Sequence, residues 1–172
     1  MKRTIVGISD CAASSDRDDT LVTYALGSCI ALALFDPVVS VGGLLHVLLP
    51  DATLDLKKAE RNPSMFADTG VPELVSRCVG LGAAKKRFFV WMAGGSAVMD
   101  ESGIFNIGKR NELAMRKALW KAGLILSAED VGGGSARTVR LKVGDGSFWV
   151  SADGGAEREL KVKGRISAAG RA

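Results

Sequence analysis

Histidine occurs once in the 172 residues, at His46, and cysteine three times, at Cys11, Cys29 and Cys78. One imidazole with no C-x-x-C pair cannot complete the usual zinc sets, so no metal site is expected. Three widely separated cysteines do not make a disulfide framework and point to a reducing compartment. Aromatics are 6% of the chain, so the core must be aliphatic and alanine-rich. Long apolar runs are also missing. Ile5–Ile8, after Lys2 and Arg3, is shorter than the roughly 7–15 residues of a signal-peptide core. Leu21–Phe35 is uncharged but is interrupted by Thr23, Gly27 and Ser28 and stopped by Asp36-Pro37, short of the roughly 20 residues that span a bilayer. A cytoplasmic protein without membrane insertion is expected. The net charge of +4 is too small to argue for nucleic acid, although it suits an acidic partner surface. No G-x-G-x-x-G or Walker pattern is present, and no cofactor is expected.

What is abundant is glycine, with 21 residues spread along the chain, which implies many tight turns in a β-rich or mixed fold. The length suits one domain with a real core. β-Branched Thr4–Ser9 reads as a strand, polar Asp10–Thr20 as a loop, Leu21–Ala25 as extended, and Leu26-Gly27-Ser28 as a turn. Ile30–Phe35 and Val41–Leu49 are buried-strand candidates, with Asp51–Pro63 a mobile connection after them. Val71, Leu74, Val75, Cys78 and Val79 form one helical face, with Asp68 or Thr69 as the cap and Gly80 and Gly82 at the end. Arg87–Ala93 is a strand running into Gly94-Gly95. A second helix follows Asn106, with Asn111, Ala114, Met115, Ala118, Leu119 and Ala122 on one face and Gly123 as its stop. Leu124–Ser127, Thr138–Val143 and Ser147–Ser151 complete the strands, the last two joined at Gly144-Asp145-Gly146. The reading is a single α/β domain over 1–153, with mixed, largely antiparallel sheets and two main helices, followed by a polar basic tail over 154–172.

The stretch from Thr23 to His46 carries the candidate chemistry. Cys29 follows Gly27-Ser28 at a bend, where a thiolate can act as nucleophile and backbone N–H groups can approach closely. Any imidazole partner must be His46. On an extended run His46 shares a face with Leu44 and Leu48, and it can hold Cys29 as thiolate and later protonate a leaving amine. Thr23 lies six residues before Cys29, roughly 20 Å in a straight strand, so it joins the site only if the chain reverses near Gly27 or the site is wide. Plain packing roles compete: free cysteine is among the most buried residue types, a histidine amid leucines is commonly a core residue, and Thr23 suits a strand. Cys78 on a helix core face and Cys11 on a polar loop are not nucleophile candidates. Gly94-Gly95 and Gly132–Gly134 read as turns.

L-G-S-C at Leu26–Cys29, G-G-L-L-H-V-L-L-P at Gly42–Pro50, N-I-G-K-R-N at Asn106–Asn111, D-V-G-G at Asp130–Gly133 and an R-x-V-x-L-x-V strand stand in order. Over roughly Leu21 to Val150 the chain resembles the bacterial chemoreceptor glutamine deamidases, the CheD family. The resemblance implies hydrolysis of glutamine side chains on methyl-accepting chemoreceptors to glutamate and ammonia. It implies a Cys29–His46 pair assisted by Thr23, with Ser28 and Gly27 at the oxyanion or substrate. It also implies a layered sandwich related to deamidating toxins, and a CheC-type phosphatase as a recurrent partner. The match is looser at Ala93–Ala97 and fades after Ser151. Two other readings fit the same residues: a non-catalytic adaptor binding a CheC-like phosphatase or a receptor, and a transglutaminase in which an amine intercepts the thioester.

Overall fold

The computed structural model describes residues 1–98 and 105–163. The strands in chain order are β1 (Lys2–Ile5), β2 (Asp10–Ser14), β3 (Asp19–Leu26), β4 (Ile30–Asp36), β5 (Val41–Val47), β6 (Phe89–Gly94), β7 (Ala128–Val131), β8 (Arg137–Lys142), β9 (Phe148–Ala152) and β10 (Arg158–Glu159). The α-helices are α1 (Leu56–Arg61), α2 (Ala67–Gly80) and α3 (Ile107–Ala122). One sheet has the order β1-β3-β8-β9-β10 and the other β2-β5-β4-β6-β7. All pairings are antiparallel except β1 with β3 and β6 with β7. This is the mixed, largely antiparallel α/β architecture expected from the sequence.

The apolar runs explain the layering. β4 is buried along its whole length, and its alternation sends successive side chains to opposite faces. Ile30, Leu32 and Leu34 join Val71, Leu74 and Cys78 of α2 and Met115 and Leu119 of α3 in one core. Ala31, Ala33 and Phe35 join Leu21, Val139, Leu141 and Phe148 of the other sheet in a second core. The molecule is therefore sheet on sheet on helices, with β4 and β5 central and covered on both sides. Trp91 stacks on Phe148 in the inter-sheet core, with ring centroids 5.6 Å apart. The helix layer sits close because Gly43 has no side chain: a Cβ there would meet Cys78 Sγ at 2.5 Å.

Several local expectations change. Asp10–Ser14 is not loop but an edge strand, paired with Gly42–His46 of β5. Its short, mixed side chains carry no alternation signal, and the neighbouring strand supplies the pairing. The first strand is Lys2–Ile5 rather than Thr4–Ser9, and the strand expected at Leu124–Ser127 begins at Ala128. The connection after β5 is built of short helical turns. Asp51, Asp55 and Asn62 cap them by accepting from the backbone N–H of Thr53, Lys58 and Ser64. Helix α2 starts at Ala67, with Phe66 at its N-cap and no side-chain cap. Asp68 instead accepts from the N–H of Ala52, and the Thr69 hydroxyl donates to the Pro63 carbonyl. Within the segment expected as a tail from 154, Arg158–Glu159 pairs with β9, and the Trp91 indole donates to the Leu160 carbonyl at 2.9 Å. The rest of that segment, 164–172, lies outside the described residues.

Candidate active site

β3 ends in a bulge. Its register to β8 shifts between Thr23 and Leu26, and Ala25 takes a positive φ of 56°. The chain then bends through Gly27-Ser28 and crosses into the second sheet as β4. Thr23 therefore need not double back to reach His46. It points from one sheet into the space between the sheets, and His46 points into the same space from the other.

The Thr23 hydroxyl lies 2.7 Å from the Val6 carbonyl and 2.7 Å from His46 Nδ1. A hydroxyl has one hydrogen, and a carbonyl can only accept, so that hydrogen goes to Val6. The imidazole must then donate from Nδ1, which leaves the lone pair on Nε2. Thr23 in this way fixes both the ring orientation and the tautomer. Both side chains are fully buried. Nε2 has no hydrogen-bond partner among the described residues.

Cys29 shares the face of the sheet that carries His46. Ala31 is the register partner of His46, and Cys29 lies two residues upstream of Ala31, on the same side of the chain. That is the diagonal position, with Cα atoms roughly 7–8 Å apart. Cys29 and Ala31 also belong to the same inter-sheet core. Unlike His46, Cys29 keeps 8% exposure. Burial pushes the Cys29 thiol pKa up, opposed by its own backbone N–H close to the sulfur. Burial also lowers the His46 pKa from 6.5 to about 4. Both shifts favour the uncharged forms of the two side chains.

Gly27 and Ser28 lie at the rim. The Gly27 carbonyl accepts from the N–H of Ser96, and the Cys29 carbonyl from that of Gly95. The backbone N–H groups of Ser28 and Cys29 donate to no carbonyl among the described residues. A cavity of about 670 Å³ opens beside Ser28, bounded by Gly95, Ser96, Gly108, Glu112 and Gly132. Gly94 controls the approach to the bend. Its φ is +113°, and a Cβ there would sit 2.2 Å from the Cys29 carbonyl oxygen. Gly94→Ala is accordingly expected to cost at least about 3 kcal/mol, combining positive-φ strain with a backbone clash. Urea unfolding would measure it, and a loss below about 1 kcal/mol would contradict the clash.

The other cysteines are elsewhere. Cys78 is sealed under α2, with its thiol pKa pushed up to about 12 by burial. Cys11 faces the helix layer and accepts from the Ser64 hydroxyl at 3.3 Å. Sequence reasoning did not single out Asn111, placing it among the core positions of the second helix. Asn111 is fully buried, and its Nδ2 donates to the carbonyls of Ser28 at 2.9 Å and Leu48 at 3.1 Å. The available signal was an amide amid Ala, Met and Leu on a buried face. Among the described residues, no cluster of three or more His, Cys, Asp or Glu is arranged to hold a metal, and no helix is long and apolar enough to cross a membrane.

Comparison with known proteins adds the family context. Residues 48–152 match the family model described as CheD chemotactic sensory transduction. The chain is 49% identical over 160 residues to the probable chemoreceptor glutamine deamidase CheD of Solibacter usitatus, covering 93% of this chain and 94% of that protein. It is 49% identical over 160 residues to the probable chemoreceptor glutamine deamidase CheD 1 of Syntrophus aciditrophicus, covering 93% of this chain and all of that protein. A similarly named protein of Methanococcus maripaludis is 41% identical over 126 residues, covering 73% of this chain and 80% of that protein.

Proposed function

This chain belongs to the CheD chemotactic sensory transduction family, and on that premise we propose that it hydrolyses glutamine side chains of chemoreceptors to glutamate and ammonia through a thioester on Cys29. The observation that carries the residue assignment is the Val6–Thr23–His46 relay, which leaves a buried, unpartnered Nε2 on the face shared with Cys29.

The chemistry balances with these groups alone. As Cys29 Sγ attacks the carboxamide carbon, Nε2 takes the thiol proton, and the S–C bond forms. The developing oxyanion is stabilised by the N–H groups of Cys29 and Ser28, while Gly27 gives the backbone room at the bend. Nε2 returns its proton to the departing nitrogen, the C–N bond breaks and ammonia leaves. Water then gives a proton to Nε2 and attacks the thioester. The C–S bond breaks, the thiol regains its proton, and a glutamate remains. Each conversion replaces a neutral amide with a carboxylate on the receptor.

Thr23 is assigned the holding role for the imidazole. Thr23→Val keeps the shape but removes the acceptor for Nδ1–H. It is expected to lower kcat about 10²-fold while Thr23→Ser retains most activity. Equal activity of Thr23→Val and wild type would remove Thr23 from the mechanism.

The direct test is incubation with a cytoplasmic chemoreceptor fragment, reading ammonia release and Gln-to-Glu conversion by mass spectrometry. Ammonia from defined receptor glutamines supports the assignment. Retained receptor binding with no conversion would favour the adaptor reading. Isopeptide cross-links formed with added amines in place of hydrolysis would favour a transglutaminase.

A further inference from the structure

We propose that Asn111 is a positioning residue that sets the oxyanion hole, by holding the Ser28–Cys29 peptide in the orientation that aims the Cys29 N–H at the reacting carbon. The inference rests on the deamidase reading above and extends it to a side chain on another layer of the fold.

The Ser28 carbonyl and the Cys29 N–H belong to one trans unit and point in opposite directions. Whatever fixes the carbonyl therefore fixes the N–H. The Ser28 carbonyl accepts from Asn111 Nδ2 at 2.9 Å, so it is turned toward α3. The Cys29 N–H is turned the other way, and it lies against its own sulfur. A carbon bonded to that sulfur would carry its oxygen within reach of this donor.

The carbonyls on either side, of Gly27 and Cys29, are tied to the N–H groups of Ser96 and Gly95, but these bonds do not fix the orientation of the Ser28–Cys29 peptide between them. Ser28 lies outside β4, beyond the ladder that begins at Ile30. Among the described residues its carbonyl is held by the Asn111 amide, and its own N–H has no backbone acceptor. A peptide in that situation can flip by compensating rotations of ψ at Ser28 and φ at Cys29, which leave the neighbouring peptides in place. After a flip, a carbonyl would face the sulfur where the donor had been.

Asn111 is suited to prevent this. It is fully buried on a helix, so its own position is set by packing. Its second N–H donates to the Leu48 carbonyl at 3.1 Å. Leu48 is two residues past His46, just beyond the end of β5. Two carbonyls at one end of the amide demand the NH₂ group there, so the orientation of the side chain is not in question. One amide thus ties the segment leading into Cys29 to the segment leaving His46.

The test separates an oxyanion effect from an effect on the thiol or the fold. Asn111→Leu keeps a similar volume but removes both donors, and Asn111→Ser removes the reach with less volume. Each is compared with wild type for kcat and KM on the receptor fragment, and for the rate at which iodoacetamide alkylates Cys29. Alkylation is a displacement at a saturated carbon with iodide leaving, and it forms no oxyanion. The expected result is a kcat lowered about 10²-fold or more, with KM and the alkylation rate each within about threefold of wild type. A kcat within about threefold of wild type overturns the proposal. So does a parallel fall in kcat and alkylation, or loss of the native near-ultraviolet circular dichroism in both variants, since either makes the role structural. A wild-type protein that is alkylated at Cys29 yet releases no ammonia would instead remove the deamidase reading itself.

Discussion

Cys29→Ala is expected to lower ammonia release from a chemoreceptor fragment by at least about 10⁴-fold, because no other group can carry the acyl intermediate. Cys11 and Cys78 both face the core between β4 and the helices. They lie on the opposite side of the central sheet from His46, and Cys78 has its thiol pKa pushed up to about 12. Cys11→Ser and Cys78→Ser should therefore keep catalysis within about threefold once corrected for folded protein, while costing stability, since each puts a hydroxyl into a packed apolar core. Cys29→Ala removes one sulfur near the rim and should shift stability by no more than about 1 kcal/mol. Full loss of activity with the fold intact is the expected signature. A Cys29→Ala protein that still deamidates would sink the thioester.

The second large effect concerns the only histidine. Well above pH 6.5 the imidazole is neutral in both native and unfolded chains, and its protonation adds nothing to the pH dependence of folding. Between 6.5 and about 4 the unfolded chain binds a proton that the native chain does not, so stability falls as the pH falls. Integrated from pH 7 to about 4.5, this amounts to a loss on the order of 2.5 kcal/mol. Carboxylates held below their usual range, such as Asp36 beside Arg87 and Glu112 beside Arg116, add their own losses mainly at lower pH. In His46→Asn, whose amide can still donate toward Thr23, the loss above about pH 5 should largely vanish. Deamidation should fall about 10⁴-fold in the same variant, because the proton carrier is gone. Urea midpoints measured across this range, side by side for the two proteins, check the claim. An equal slope in both would mean that the imidazole is not shielded as the structure has it.

These two results bear on one arrangement. Burial that raises the Cys29 thiol pKa and lowers that of His46 slows the reaction of Cys29 with soluble electrophiles without abolishing it. In the proposed mechanism the proton moves as sulfur attacks, which ties reactivity to the arrival of a carboxamide at the rim near Ser28. A standing thiolate would react faster with any soluble electrophile.

The local sequence was enough for the central pieces. Ile30–Phe35 and Val41–Leu49 read as buried strands because nearly every side chain in them is apolar or glycine. The two long helices followed from the spacing of Val71, Leu74 and Cys78 and of Met115, Ala118 and Leu119. That His46 must be the imidazole partner of any thiol chemistry needed no structure, because there is no other. Alternation also put Leu44 and His46 on one face.

What tertiary structure alone decided were relations across gaps in the chain. Asp10–Ser14 became a strand because β5 offered an edge, not because its own residues asked for one. Asp51–Pro63 took helical turns through short side-chain caps that a polar composition only hints at. Thr23 reaches His46 because a bulge and a bend carry the chain from one sheet to the other, a distance that counting residues along a straight strand could not resolve. The opposite pKa shifts of Cys29 and His46 follow from burial between two sheets, and burial is a property of layers. Asn111 reaches the Ser28 carbonyl from a helix 83 residues away in sequence. Periodicity specifies which face a side chain takes; packing of one layer on the next specifies what it meets there.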